Sequence, residues 1–271
     1  MLGFSRLFSD GAGIGNQMFR YAALKGISAF KGYDCCIPRG TPLLQAFTLP
    51  TPVEDLFGIP YLEPSFNYSE DFVGNCPDNA NLYGYFQTEK YFKHIEQEIR
   101  TEFTFSPDRK AYCQSQLKNT KTICLHIRRT DYLAYPNHHP ICSMDYYTKA
   151  LAALDKTLPV LVFSDDPLWC IQHPLFQEER FTFVGAKTNN HRGTGFLKDV
   201  SQNNLIIVPD AFYNLCLMSM CTHFICANSS YSWWAAWLSQ SENVLVPSQW
   251  FGPALAHYDT RDLIPERWGS I

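Results

Sequence analysis

From residue 122 onward the chain alternates short apolar runs with helical patterns, and that alternation leaves few folds open. Runs rich in β-branched and other apolar residues at 122–127, 159–163, 181–184, 204–208, 223–227 and 243–246 read as strands. The segments near 143–155, 167–172, 210–220 and 231–239 carry helical spacing between them. Strands that alternate with helices in this way predict an α/β protein built on a doubly wound, mostly parallel sheet.

The first half is less regular. Residues 2–8 form a weak strand, and a glycine-rich loop leads into a helix over 17–30 that stops at Lys31 and Gly32. Residues 38–80 are rich in Pro, Gly and Asn and read as irregular. A short strand is expected at 83–86 and a helix at 89–103. Ser106, Pro107 and the polar stretch through Lys121 mark a domain boundary, which divides the chain into 1–117 and 118–271.

Composition narrows the chemistry. A formal charge of −4 argues against non-specific nucleic-acid binding, so any anion recognition has to be local. The ten cysteines include no CxxC spacing, and Cys35, Cys36, Cys124, Cys216 and Cys226 lie within or beside apolar runs. They read as small buried hydrophobes of a reduced protein rather than a disulfide framework. His138, His139 and Cys142 come nearest to a metal cluster and make a weak one. No cationic leader precedes an apolar run, and no stretch reaches 18 uninterrupted apolar residues. The expectation is a soluble, cytoplasmic protein without a membrane-spanning segment.

In open α/β sheets, ligands bind beyond the carboxyl ends of the strands. The run at 122–127 ends abruptly in His126, Arg128, Arg129 and Asp131. Two adjacent guanidinium forks suit a diphosphate, because each can bond two oxygens and neither can be deprotonated. A second strand end, NSSYSWW at 228–234, breaks into small polar residues that open a helix. Ser229 and Ser230 there can cap the helix or seat a phosphate at its positive end. Trp233, Trp234 and Trp237 on that helix are expected mainly to pack it on the sheet. A third strand end, VFSDDP at 162–167, offers Asp165 and Asp166 either as divalent-cation ligands or, preferred here, as a cap for the helix that Pro167 begins. The loop GAGIGN at 11–16 suggests a dinucleotide fingerprint but places Asn16 where the third glycine belongs. A tight turn with Asn16 and Gln17 at the first helical turn is the alternative.

Four blocks in order carry a family likeness: GIGNQMF at 13–19 with Tyr21 and Ala22, GYFQTEKYF at 84–92, HIRRTDY at 126–132, and LMSMC at 217–221 running into NSSYSWWAAWL at 228–238. The chain resembles the bacterial α-1,2-fucosyltransferases of glycosyltransferase family 11. The resemblance implies a GT-B-like fold, with two Rossmann-type domains and the donor site in the cleft between them. It implies an acceptor-side domain at 1–117 and a nucleotide-sugar-binding domain at 118–271. It further implies GDP-fucose as donor, a galactose-terminated glycan as acceptor, inversion at the fucose anomeric carbon, and no metal or other cofactor.

Carried over by motif, Arg128 and Arg129 belong at the donor pyrophosphate and His126 near the nucleoside or phosphate. Ser229 and Ser230, beside Asn228, belong at the β-phosphate. Gly15, Asn16 and Gln17 form the N-domain side of the donor site. Arg129 is the expected catalytic electrostatic group, and Asp131 either takes the acceptor proton or orients an Arg. One departure stands out: where such enzymes usually carry an Asp before the LMSMC block, this chain has Asn214, which keeps one acceptor and loses the charge. Asp210, one turn earlier, is a possible substitute for pairing with guanine. Tyr85, Phe86, Gln87 and the loop 186–196 are candidates to border the acceptor, with a core or surface role favoured for each taken singly. Rival readings are a non-catalytic sugar- or nucleotide-binding protein, a transferase for another nucleotide sugar and, more weakly, a dinucleotide oxidoreductase.

Overall fold

The computed structural model describes residues 1–9, 11–54, 58–117, 121–186 and 204–271. The chain forms two compact units, one of Met1–Ser106 with His257–Pro265 and one of Pro107–Ala256 with Glu266–Ile271.

The first unit contains β1 (Leu2–Gly3), α1 (Ile14–Lys31), β2 (Cys35–Cys36), β3 (Ile59–Leu62), α2 (Glu70–Gly74), β4 (Ala80–Tyr83) and α3 (Glu96–Glu102). Its four strands pair in parallel in the order β2-β1-β4-β3. The expected 17–30 helix begins earlier, at Ile14, and ends at Gly32, whose φ of 66° few other residues adopt cheaply. Three first-half expectations shift. The irregular 38–80 stretch holds β3 and α2; β3 is an edge strand with Ile59 and Leu62 exposed, so it lacks the apolar alternation that marks a half-buried strand. The strand expected at 83–86 ends instead at Tyr83, because Phe86 has a φ of 54° and cannot continue it. The helix expected over 89–103 becomes two short 3₁₀ turns followed by α3. Phe92, at φ −132° and ψ 6°, and Ile95, at φ −120° and ψ 27°, leave the helical region and break the run.

The second unit holds α4 (Pro107–Gln116), β5 (Ile123–Ile127), α5 (Met144–Ala152), β6 (Val160–Ser164), α6 (Pro167–Gln172), β7 (Phe181–Ala186), β8 (Leu205–Val208), α7 (Ala211–Ser219), β9 (His223–Ile225), α8 (Ser230–Ser239), β10 (Val244–Val246) and β11 (Gly269–Ser270). Its seven-stranded sheet runs β11-β10-β9-β5-β6-β7-β8 with every pairing parallel. Both β5 and β6 are buried throughout, which explains why His126 and Ser164 are their only polar residues. Ile123, Leu125, Val160, Val162, Phe181 and Phe183 pack with Tyr147 and Ala150 of α5 and Cys170 of α6 in one core. Trp233, Trp234 and Trp237 are fully buried and hold α8 in place. All ten cysteines are free thiols, eight of them buried, as their apolar settings predict.

Chain order proceeds outward from β5 through β6, β7 and β8, then restarts on the other side with β9, β10 and β11. The order therefore reverses between β5 and β9, and the loops leaving those two strands diverge there. Those loops carry the Arg pair and the serine pair. Of the loop 186–196, all but Ala186 lies outside the described residues.

Candidate active site

Sheet register sets the first contacts. Ile127 of β5 pairs with Ser164 of β6, so Arg128-Arg129 and Asp165-Asp166 leave the sheet side by side. Asp165 accepts from the backbone N–H of Arg129 at 2.9 Å and of Thr130 at 3.0 Å, and from the Thr130 hydroxyl at 2.5 Å. Asp166 caps α6 by accepting from the Trp169 N–H at 3.3 Å, and its other oxygen accepts from Arg129 Nε at 3.2 Å. The preferred cap reading holds for Asp166. Asp165 does something the sequence did not suggest: it folds the loop that carries both arginines. The oxygens that a cation would use are taken up by N–H and O–H donors. Among the described residues, no three His, Cys, Asp or Glu side chains are grouped to hold a metal.

The two arginines are not equivalent. Arg128 sits between two carboxylates, with Nη2 2.8 Å from Asp131 and Nη1 3.4 Å from Asp165. Burial works against its charge, and the two carboxylates more than offset this, so the proton is held more tightly than on a free guanidinium. Arg129 is anchored through Nε alone, and neither of its terminal nitrogens has a hydrogen-bond partner among the described residues. The fork geometry that suits a diphosphate is therefore open on Arg129.

His126 lies at the end of β5 and is 5% exposed. Burial, helped by the nearby Arg128 charge and opposed by Asp165, pushes its imidazole down to about 4. The ring is therefore neutral near pH 7, and its buried Nδ1 has no hydrogen-bond partner among the described residues. A lowered histidine pKa costs stability as pH falls, because the unfolded chain takes up the proton first. This contribution is intact above about 6.5 and is lost progressively down to about 4. It amounts to roughly 3 kcal/mol across that window. His126→Gln is expected to flatten the acid side of a plot of Tm against pH over the same range; an unchanged slope between pH 6.5 and 4 would remove this account.

The β9 loop is joined to the β5 loop by a direct bond: the Tyr132 hydroxyl donates to the Asn228 carbonyl at 2.9 Å. The Asn228 amide donates to the carbonyls of Pro140 and Trp250, both at 2.9 Å, and accepts from the Cys142 thiol at 3.4 Å. Its side chain thus serves as a latch. Ser229 is the N-cap of α8, accepting from the Tyr231 N–H at 3.3 Å, and Ser230 is the first helical residue. The Tyr231 ring lies 5.9 Å from that of His126. His139, part of the weak metal cluster, stacks on Tyr132 with ring centres 5.1 Å apart. Asn214 projects from α7, is 6% exposed, and has a buried Oδ1 without a partner among the described residues. Asp210 spends one carboxylate oxygen capping α7, bonding the N–H groups of Phe212 and Tyr213 at 2.8 and 3.0 Å.

Gly15, Asn16 and Gln17 belong to the first unit, on the opening turn of α1. Asn16 accepts from the Gln87 amide at 2.9 Å, and the Gln17 amide donates to the Ala12 carbonyl at 2.8 Å. Sequence reasoning passed over Glu63, just beyond β3. Its carboxylate accepts from the N–H groups of Tyr85 at 2.7 Å and Phe86 at 3.0 Å, which pins the turn of the 84–92 block. Burial raises this carboxyl to about 7, against the pull of those bonds. A side chain at Gly84 would collide with Glu63, so glycine is required there. No sequence signal linked Glu63 to this turn, since β3 itself was not recognised.

The family model of glycosyl transferase family 11 matches residues 67–253 of this chain. The chain belongs to that family. The match takes in the 84–92, 126–132, 217–221 and 228–238 blocks, and therefore all of the second-unit residues just described. Among relatives, an alpha-1,2-colitosyltransferase of Escherichia coli is 28% identical over 218 residues, covering 76% of this chain and 68% of that protein. Galactoside alpha-(1,2)-fucosyltransferase 1 of Rattus norvegicus is 24% identical over 261 residues, covering 88% of this chain and 64% of that protein. The chain thus spans about two thirds of the length of these relatives. A mutant of Arabidopsis thaliana FUT1 solved with GDP superposes with a TM-score of 0.51 at 10% identity, covering 97% of this chain and 74% of that one. That likeness is one of fold, and it agrees with the expected two-unit α/β architecture of the GT-B type. Membership makes the protein a glycosyltransferase of family 11, and the Escherichia coli and Rattus norvegicus relatives are transferases of α-1,2 type. Among the described residues, no helix is long and apolar enough to cross a membrane.

Proposed function

We propose that the chain transfers L-fucose from GDP-β-L-fucose to the 2-hydroxyl of a terminal β-galactoside, with inversion and without a metal. The observation that carries this reading is the open fork of Arg129 on the β5 loop, a loop whose Tyr132 is hydrogen-bonded to the carbonyl of Asn228, the residue before the cap of α8. A guanidinium fork and a helix N-terminus are each suited to the phosphates of a nucleoside diphosphate.

The acceptor O2 attacks the anomeric carbon, the bond from that carbon to the β-phosphate oxygen breaks, and GDP leaves with the electron pair. Arg129 and the N–H groups at the start of α8 stabilise the charge that grows on the departing diphosphate. Arg128, held by two carboxylates, contributes positive charge nearby. Asp131 has one oxygen bonded to Arg128 and a second, buried oxygen without a partner among the described residues. That second oxygen is our candidate to take the acceptor proton. Asp131→Asn is expected to lower kcat by about 10²-fold and to remove the acid limb of the pH–rate profile. Near-normal turnover with the limb intact would leave Asp131 only the task of orienting Arg128.

His126 and Asn214, both neutral and both buried with an unsatisfied atom, support a role in holding the nucleoside. The free thiols support action in a reducing compartment, which we read as cytoplasmic. The function test is direct. Mixing the protein with GDP-fucose and lactose should release GDP and fucosylate lactose, with EDTA making no difference. Binding of GDP without turnover favours the non-catalytic reading, and activity abolished by EDTA and restored by Mg²⁺ or Mn²⁺ rejects metal independence. A second reading, favoured by the likeness to the alpha-1,2-colitosyltransferase, is a donor carrying colitose in place of fucose. Competition by GDP but not UDP would support either GDP-sugar.

A further inference from the structure

Trp169, which no motif singled out, lies on the third residue of α6 with its ring against the guanidinium of Arg129. Arg129 Cζ is 3.8 Å from the ring centroid, well inside the range of cation–π attraction. The indole also packs on the His173 ring at 4.7 Å, which meets Phe176 at 5.5 Å, and Phe176 reaches Phe181 of β7 at 5.4 Å. A continuous run of tilted and edge-on ring contacts thus leads from the hydrophobic core of the second unit to the candidate anion-binding arginine. Asp166 restrains the same guanidinium within its own plane, through Nε, and this carboxylate also caps the helix that carries Trp169.

A planar guanidinium has one swing about its long side chain that a single bond through Nε does not stop. A ring against its face stops it. We infer that Trp169 is a positioning residue for diphosphate recognition: it fixes the plane of Arg129, so that both terminal nitrogens meet the phosphate oxygens without first being ordered. Side-chain ordering is part of the cost of binding, and a fork ordered beforehand avoids it. The α6 helix therefore does more than join two strands, since its cap and its first-turn aromatic both act on one arginine. This inference rests on the donor-site reading above.

The test is a two-by-two comparison of affinities for GDP and for guanosine, measured by calorimetry on the wild-type chain, Trp169→Leu, Arg129→Ala and the double variant. Trp169→Leu is expected to weaken GDP about tenfold and to leave guanosine unchanged. In the Arg129→Ala background it should have no further effect on GDP, because its target is gone. Trp169→Phe should recover most of the loss, since a ring remains. An equal loss in both backgrounds, or equal weakening of guanosine, assigns Trp169 to general packing and overturns the inference. Should Trp169→Leu fail to fold, Trp169→Phe carries the same cycle, with about a threefold loss expected in the Arg129 background alone. If wild-type protein binds GDP no more tightly than guanosine, the diphosphate seat itself is absent, and the donor reading falls first.

Discussion

Arg129→Ala is expected to lower kcat by about 10²-fold or more, comparable to the loss of one preorganised oxyanion donor. The expectation follows from the contrast between neighbours. Arg128 is tied to Asp131 and Asp165, whereas Arg129 keeps both terminal nitrogens open while Nε and one face of the guanidinium are held. A group with this much of its conformation settled in advance can act on a developing charge without reorganising. Because the side chain makes one ion pair, with Asp166, and one ring contact, with Trp169, its removal should shift Tm by only a few degrees. The measurement is steady-state turnover beside a thermal melt. Loss of turnover with a melt within a few degrees of wild type supports the role, and near-normal turnover removes Arg129 from the reaction.

The second large effect is expected at Asp165, where stability and activity should fall together. This side chain is almost wholly buried and holds the backbone of Arg129 and Thr130, the Thr130 hydroxyl, and one edge of Arg128. Asp165→Ala leaves those donors without an acceptor in a place that water reaches poorly, and leaves the half-buried Arg128 one carboxylate short. Breaking such a network costs about 3 kcal/mol. For a chain of this size that lowers Tm by roughly 6–12 °C. Asp166→Ala removes a helix cap and a single ion pair, and is expected to cost only about 1 kcal/mol. The ordering of the two variants is the critical result. If Asp165→Ala melted at the wild-type temperature, the carboxylate would not be what folds the loop.

Much of the second unit was legible because its strands are covered on both faces. The apolar runs at 123–125 and 160–163 give a signal that no surface strand can match. The first unit was harder to read. Two of its strands are two residues long, and β3 exposes apolar side chains at a sheet edge, so neither length nor alternation announced them. The turn at Phe86 was hidden for a different reason: what bends it is the carboxylate of Glu63, distant in sequence and recruited only once β3 and β4 pair. Likewise Ser229 was recognisable as a cap from its place before a helix, whereas the use of Asn228 as a latch depends on the carbonyls of Pro140 and Trp250.

Residue order alone was sufficient for the parallel α/β class, the family, and the strand ends at which polar chemistry gathers. These are local properties: the period of apolar residues, the break from apolar to charged, and short motifs whose members are neighbours in the chain. Tertiary structure alone decided which of two adjacent arginines is occupied and which is open. That choice belongs to Asp165, Asp166 and Trp169, which reach the β5 loop because β6 lies in register beside β5, and a register between strands is a long-range pairing that no local pattern records.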